Sequence, residues 1–233
     1  MKASPEINQR KTTRQKSASA DTLPPGHTAI KVKNIGLRFG EKIVIKDFSL
    51  TLFPGEKVVL TGDSGSGKSS LIRCIMGFCA PDCGEIFING TRLTPESVWN
   101  LRQTIAYVPQ EPDTGPGTLE QWLARPFSFR INRNIRSNIE KIPGLARRLG
   151  LLPDILKTDS CRLSGGEKQR AALLSALLLE RKILIADEPT SALDCGSAKK
   201  ITQFITDLPG VSCLLVSHDS KLAKKADRVV NIP

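Results

Sequence analysis

Hydrophobic and polar residues alternate with two different periods in the first part of the chain. Residues 29–39 (AIKVKNIGLRF) and 48–53 (FSLTLF) alternate residue by residue, which predicts strands at a sheet edge. Residues 57–62 (KVVLTG) form a short apolar strand that runs into glycines, and residues 68–78 have helical spacing. A further strand and turn is predicted at 84–90 (GEIFING).

The second half of the chain continues this alternation of strands and helices. The pattern predicts a long helix, a strand, a helix, a strand, a short helix and a last strand, with the clear segments at 165–180, 182–187, about 198–208, 212–219 and 228–232. Strands that alternate with helices in this way favour an α/β fold with a mostly parallel sheet.

Two segments do not follow the alternation. Residues 1–28 are polar, basic and without periodicity, so we expect a disordered basic tail that ends at a Pro-Pro-Gly break. Residues of about 112–162 contain five prolines, helical patches and little strand pattern. We interpret this second segment as a helical insertion within a single ordered unit that spans residues 29–233.

Composition narrows the possible partners and the cellular compartment. The 233 residues carry a formal net charge of +11, which suits an anionic partner such as a nucleotide, a nucleic acid or an acidic membrane surface. A basic protein without a specific anionic partner has the same charge balance, so this alternative stays open. Six cysteines include no C-x-x-C pair, and no leader segment suggests secretion. Cys74, Cys79 and Cys83 fit no standard metal spacing, which favours incidental thiols. No apolar stretch reaches the ~20 residues of a membrane span.

The segment GDSGSGKS matches the pattern G-x-x-x-x-G-K-[ST] and lies between a predicted strand and a predicted helix. Its glycines let backbone N–H groups point at phosphate oxygens, and the helix N-terminus adds partial positive charge. Lys68 can reach the β- and γ-phosphates, and Ser69 can ligate Mg²⁺. The predicted nucleotide-binding residues are Gly62, Asp63, Ser64, Gly65, Ser66, Gly67, Lys68, Ser69 and Ser70.

Three more polar positions follow predicted strands. Asp187 ends the apolar run ILIAD, where a carboxylate can hold Mg²⁺ through water, and Glu188 can take a proton from an attacking water. Gln110 follows IAYVP and can contact water or Mg²⁺, and His218 follows CLLVS and can donate to a γ-phosphate and orient Glu188. Each of these residues could instead be an ordinary strand end, but the phosphate loop favours a functional reading.

A second glycine-rich helix start occurs at LSGGEKQR, residues 163–170. Ser164 and Glu167 have the spacing of a capping box, which starts a helix by satisfying exposed N–H groups. Two adjacent glycines at this point are unexpected, because glycine destabilises helices.

The joint order of these motifs resembles the ATP-binding cassette (ABC) ATPases. The phosphate loop, Gln110, LSGG, ILIADEP, the segment SALD at 191–194 and His218 appear in the order of that family, over about residues 30–233. The resemblance implies a P-loop cassette with a mostly parallel core sheet, an antiparallel β edge and a helical subdomain. It also implies ATP and Mg²⁺ as cofactors, with Ser69, Gln110 and Asp187 as magnesium ligands.

The same resemblance implies roles for the remaining residues. Phe39 would stack on adenine, although it could instead be a core strand residue. Cassettes of this family dimerise head-to-tail, so Ser164, Gly165 and Gly166 would bind the ATP of a second subunit. The implied catalytic residues are Lys68, Gln110, Glu188 and His218.

The resemblance favours an ATPase subunit of a transporter, peripheral on the cytoplasmic face of the inner membrane and bound to a separate multi-span permease. The segment TLEQWLARPFSFRINRN at 118–134 is similar to Fet-type iron-export ATPases, which favours metal export. Transport of lipid, lipoprotein or small solutes stays open, as does a soluble ABC ATPase of cofactor assembly or DNA processes. Relatives in this family that act on DNA carry long coiled coils between the motifs, and this chain has no long heptad run. Nucleic acid is therefore not expected as a partner.

Overall fold

The computed structural model describes residues 28–233. Apart from Thr28, the predicted disordered tail at 1–28 lies outside the described residues. Nine strands and seven α-helices follow in the described part of the chain. The strands are β1 Ile30–Phe39, β2 Lys42–Leu52, β3 Lys57–Thr61, β4 Cys83–Ile88, β5 Thr91–Arg92, β6 Ile105–Val108, β7 Ile183–Asp187, β8 Ser212–Val216 and β9 Arg228–Asn231.

The helices lie between these strands and are mostly short. They are α1 Lys68–Ile75, α2 Val98–Arg102, α3 Leu119–Ala124, α4 Ile142–Arg148, α5 Gly165–Leu178, α6 Cys195–Thr206 and α7 Ser220–Lys225. None of the helices within residues 28–233 combines the length and apolar character that crossing a bilayer requires.

The strands form two sheets. A five-stranded sheet has the order β6-β7-β8-β3-β9, and each neighbouring pair in it is parallel. A four-stranded sheet has the order β2-β1-β4-β5 and is antiparallel. The predicted α/β fold, with a mostly parallel core sheet and an antiparallel edge, is therefore confirmed.

The parallel sheet is buried on both faces, except at its edge strand β9, where half-buried and exposed residues alternate. Along β7, Ile183 and Ile185 pack with α1 and the antiparallel sheet, whereas Leu184 and Ala186 pack against the helical side. Because helices and a second sheet cover both faces, the inner strands β3, β7 and β8 are continuous apolar runs without alternation. The carboxyl ends of the parallel strands β6, β7, β8 and β3 meet at one edge of this sheet. The loops that follow these strands can hold polar groups there.

The helical insertion differs from a bundle of regular α-helices. Between α3 and α5 the chain forms 3₁₀ segments at Arg125–Ser128, Arg130–Lys141, Pro153–Lys157 and Ser160–Arg162. Pro126, Pro143 and Pro153 stand at the first or second position of a helical segment, where a missing N–H costs nothing. The division of 112–162 from the rest of the chain as a subdomain stays a prediction.

Some predicted boundaries are wrong. Helix α6 begins at Cys195 and not near residue 198, because Asp194 caps it by accepting from the N–H groups of Gly196 and Ser197 at 2.9 and 3.0 Å. Helix α5 ends at Leu178, two residues before the predicted end. The sequence pattern also missed the two-residue strand β5 and the five-residue helix α2.

Candidate nucleotide site

The phosphate loop joins β3 to α1, and its glycines adopt conformations that other residues avoid. Gly65 and Gly67 have φ values of 81° and 95°, in the left-handed region. A Cβ atom on Gly67 would come within 2.7 Å of Val44 and 2.9 Å of Ile45, two neighbours on β2. Backbone conformation therefore favours glycine at both positions, and packing against β2 requires it at Gly67. The loop places its backbone N–H groups next to the start of α1.

Lys68 is only 7% exposed, and its ammonium group bonds inside the loop. The Nζ atom donates to the carbonyl oxygens of Gly62 and Asp63 at 2.8 Å each. Among the described residues, the buried Ser66 hydroxyl and one carboxylate oxygen of Asp187 have no hydrogen-bond partner. Unpartnered buried polar atoms around a lysine cation fit a ligand that brings phosphate oxygens and a divalent cation.

Asp187 is the last residue of β7 and is buried beside the phosphate loop. Burial raises the pKa of the Asp187 carboxyl, and the Ser69 hydroxyl and the Lys68 charge oppose this shift. Mg²⁺ prefers carboxylate and hydroxyl oxygens, and Ser69 and Asp187 supply both near one point. The residues present therefore fit the predicted magnesium.

Glu188 follows Asp187 at a sharp turn of the chain after β7. Its φ value of 48° is left-handed, which is rare for a residue with a side chain. Its N–H donates to the carbonyl of Val216 at 2.9 Å, which fixes the turn against β8. The Nε2 atom of His218 lies 3.5 Å from the Glu188 carboxylate. The two side chains that the sequence separates by 30 residues are thus neighbours.

These side chains and the phosphate loop line one cleft of about 310 Å³. Gln110, Glu188 and His218 reach it from the ends of β6, β7 and β8, and the loop itself follows β3. The lining also includes Phe39, Val44, Ser64, Gly65, Gly67, Lys68, Ser69, Ser70 and Val216. Adjacent parallel strands therefore assemble the predicted residues at one edge of the sheet.

Phe39 is the final residue of β1 and is 61% exposed. The alternative that it is a core strand residue is therefore wrong. An exposed aromatic ring that also lines the phosphate cleft has the setting that base stacking requires. Its contact with adenine stays a prediction.

The second glycine-rich helix start, LSGGEKQR at residues 163–170, is termed the signature, and it lies outside that cleft. Ser164 Oγ accepts from the N–H of Glu167 at 3.3 Å, and the Glu167 carboxylate accepts from the N–H of Ser164 at 2.8 Å, so the capping box forms. The Ser164 hydroxyl also donates to the Glu167 carboxylate at 2.7 Å, and this bond together with the one from the Ser164 N–H lowers the pKa of Glu167. Neither Ser164 nor the two glycines are among the residues that line the phosphate cleft.

The glycines at this helix start have a packing reason within the chain. A Cβ atom on Gly166 would lie 3.0 Å from the carbonyl oxygen of Ala192 and 3.2 Å from the Leu193 side chain. The segment SALD therefore packs closely on the start of α5. Ser164 and Gly165 remain exposed beside it.

Comparison with known proteins identifies the family of this chain. The ABC transporter family profile matches residues 45–191, which is more than half of the chain. The chain belongs to the ABC transporter family. The arginine transport ATP-binding protein ArtM of Bacillus subtilis is 36% identical over 86% of both chains. The energy-coupling factor ATP-binding protein EcfA1 of Oceanobacillus iheyensis is 34% identical over 86% of this chain and 74% of that protein.

Solved structures give the same result. A dimeric ATP-binding cassette in a post-hydrolysis state with ADP and Pi has a TM-score of 0.76 and 28% identity, over 87% of this ABC protein and 94% of that chain. A second similar structure, cbiO1 from Clostridium perfringens, is described as part of the ABC transporter complex cbiONQ. It has a TM-score of 0.75 at 22% identity, which supports the fold alone.

The family assignment confirms several sequence-based predictions. This ABC protein is an ATP-binding subunit of a transporter and an ATPase, and it uses ATP with Mg²⁺. Its transported substrate and the roles of its individual site residues are separate questions.

Sequence reasoning missed one buried residue of this ABC ATPase. Gln169 on α5 is 1% exposed, and its amide nitrogen donates to the carbonyl of Glu188 at 2.6 Å. Its amide oxygen accepts from the N–H of Ala192 at 3.0 Å. Gln169 therefore joins the signature helix to the two segments that follow β7. A polar residue that begins an apolar helical face was the signal for this role.

Proposed function

We propose that two copies of this ABC ATPase bind ATP head-to-tail and drive a separate multi-span permease from the cytoplasmic face of the inner membrane. The observation that carries the proposal is the separation of the two phosphate-binding elements. Lys68, Glu188 and His218 line one cleft, whereas the signature residues lie outside it. One chain therefore offers only part of the surface that would enclose a nucleotide.

The exposed signature suits a role across an interface. Ser164 and Gly165 stand at the N-terminus of α5, a 14-residue helix whose first N–H groups favour anions. In a two-fold dimer each cleft faces the signature of the other copy, so both sites are completed together. The similar cassette bound to ADP and Pi is dimeric, which supports this arrangement.

The cleft residues divide the hydrolysis reaction among them. Glu188 accepts a proton from the water that attacks the γ-phosphate, and His218, 3.5 Å away, orients that carboxylate and donates to the phosphate. Lys68 stabilises charge on the β- and γ-phosphates, and Phe39 stacks on adenine. Ser69, Gln110 and Asp187 would hold Mg²⁺, which would supply positive charge beside the phosphate oxygens.

The charge of this chain indicates what kind of surface the permease presents to it. The two relatives from Bacillus and Oceanobacillus are named ATP-binding proteins of transporters, and the cbiO1 structure is described as part of a transporter complex. The helical insertion carries seven basic residues against one acidic residue between 121 and 150. This balance suits acidic loops of a membrane partner or anionic lipid headgroups.

Metal export is the finer proposal, and it rests on one segment. Residues 126–134 (PFSFRINRN) resemble the Fet-type iron-export ATPases, and Phe129 is 64% exposed within it. The energy-coupling factor and arginine relatives keep small-solute transport as the alternative. Reconstituting the permease with this ATPase in vesicles distinguishes metal export from small-solute transport. The ATP turnover of a metal exporter rises with Fe²⁺, whereas that of a small-solute transporter does not.

Glu188→Gln tests the reaction. The variant should bind ATP and accumulate an ATP-bound dimer in gel filtration, and its phosphate release should fall by at least about 10²-fold. Glu120→Gln, an exposed glutamate on α3, is the matched control and should keep normal turnover. A Glu188→Gln protein with normal turnover would show that another group accepts the proton.

Ser164→Arg tests the dimer separately. The added side chain blocks the signature surface, so one chain should bind ATP normally while no ATP dimer forms. Calorimetry measures the binding, and gel filtration of a double variant with Glu188→Gln measures the dimer. A dimer that persists in the double variant contradicts the head-to-tail arrangement.

A further inference from the structure

Two of the six cysteines lie side by side behind the nucleotide site. The Sγ atoms of Cys74 and Cys79 are 3.3 Å apart, and both thiols are free. A disulfide has an S–S length of about 2.05 Å, so the atoms need to approach by about 1.2 Å to bond. Cys74 belongs to α1, the helix that begins at Lys68, and Cys79 lies in the loop that follows it.

The end of α1 sets this proximity. The N–H of Phe78 donates to the carbonyl of Arg73, and the N–H of Gly77 donates to that of Cys74, at 2.8 and 2.9 Å. With Gly77 at a φ of 66°, these bonds form a Schellman motif that turns the chain back along the helix. The backbone itself therefore returns Cys79 to Cys74.

A cation holds the turn in place. The Arg102 guanidinium donates to the carbonyls of Met76 and Gly77 at 2.7 Å each. The same group stacks over the rings of Phe78 and Trp99 at 4.6 and 5.1 Å. These contacts restrict the loop between the two thiols, so their proximity belongs to a fixed structure.

The two thiols differ in accessibility. Cys74 is fully buried, and burial raises its pKa to about 12, whereas Cys79 is exposed. Both border a cleft of about 520 Å³, which admits a small oxidant. A third thiol, Cys83, belongs to β4, and it donates to the carbonyl of Asn34 on β1 at 3.8 Å, in space that a Cβ atom on Gly36 would fill. Cys79 therefore meets an oxidant first and has Cys74 as its neighbour.

We propose that Cys74 and Cys79 form a reversible redox site that closes into an intramolecular disulfide under peroxide. The Cys79 thiolate attacks hydrogen peroxide, the O–O bond breaks, and a sulfenic acid and hydroxide form. The Cys74 sulfur then attacks Cys79 Sγ, loses its proton, and displaces the oxygen as water. Two thiols and one peroxide thus give one disulfide and two waters, and an added dithiol reverses the reaction.

Peptide mass analysis of the full-length protein tests the site. After treatment with hydrogen peroxide and blocking of free thiols, trypsin releases one peptide, 74–92, that holds all three neighbouring cysteines. We expect this peptide to lose two hydrogens, with fragment masses that assign the bond to Cys74 and Cys79, and to regain them with dithiothreitol. A bond from Cys79 to Cys83, a bond between chains, or sulfinic acid on Cys79 with Cys74 unchanged overturns the proposal.

Variants test the order of the two steps. In Cys74→Ala the sulfenic acid on Cys79 has no neighbour to react with, so dimedone should trap it at least about tenfold more than in the unaltered protein. Equal trapping overturns the proposal. If Cys74→Ala fails to fold, Cys79→Ser at the exposed position should abolish the disulfide instead. Cys83→Ser is the matched control and should keep both the disulfide and its reversal.

Discussion

Gln169 allows a test of how helix α5 is attached to the end of strand β7. We consider Gln169→Leu, which keeps the approximate size of the side chain and removes its amide. The substitution deletes the bond from Gln169 to the Glu188 carbonyl and the bond from Ala192 N–H to Gln169. Both bonds lie on the path between α5 and the end of β7.

The structure sets the size of the effect. Each lost hydrogen bond costs ~1 kcal/mol net, and a buried group left without a partner adds a further ~1 kcal/mol. The Glu188 carbonyl keeps a second partner in Ser191, and Ala192 is exposed enough to reach water. Since neither group is left without a partner, the free energy of unfolding should fall by about 2 kcal/mol, the sum of the two lost bonds. For a chain of this size that lowers Tm by about 4–8 °C.

Calorimetric unfolding of the two proteins measures this difference. Gln203→Leu is the matched control, because Gln203 is exposed and water can replace its bonds, so its effect should stay within about 0.5 kcal/mol. A Tm for Gln169→Leu within about 1 °C of the unaltered protein would refute the reasoning. In that case the two bonds from α5 contribute nothing to the folded state.

Two other substitutions give further checks. Lys57→Met should lower the free energy of unfolding by about 2–4 kcal/mol in denaturant titration. The reason is that Lys57 is only 5% exposed and its ammonium donates to three carbonyls. Lys46→Met, at an exposed lysine, is the control and should change the free energy of unfolding by less than about 0.5 kcal/mol. Glu167→Ala should lower Tm by more at pH 7 than at pH 3. The pKa of Glu167 is lowered from 4.5 on folding, so its stabilisation is complete above that value and is lost as pH falls through the folded pKa. An equal Tm difference at both pH values contradicts the capping box.

Local patterns in the sequence were sufficient for the sheet and the phosphate loop. The strands β3, β7 and β8 are continuous apolar runs because both sheet faces are covered, and a polar residue ends β3 and β7 and directly follows β8. Glycine spacing located the loop, because its left-handed conformations exclude other residues. Such features depend on neighbours in sequence and can be read without the fold.

The missed features depend on contacts between distant segments. Helix α2 has five residues, too few for helical periodicity to be visible. Lys57 reads as the polar start of a strand, but its ammonium reaches carbonyls of Leu208 and Val211 more than 150 positions away. Gln169 likewise acquires its role from Glu188 and Ala192. Only the three-dimensional structure brings these partners together.

The assembly of the site on adjacent strands bears on how the enzyme loses activity when heated. β3 is paired on both sides, with β8 and β9, and β7 is paired with β6 and β8. Central strands of this kind open only when the whole domain unfolds, and their amides exchange with solvent most slowly. The strand ends that carry Thr61 and Asp187 share this stability, whereas the ligand-binding loops that follow them open more easily. Thermal inactivation of this ATPase should therefore begin in those loops, while Asp187 keeps its place until global unfolding.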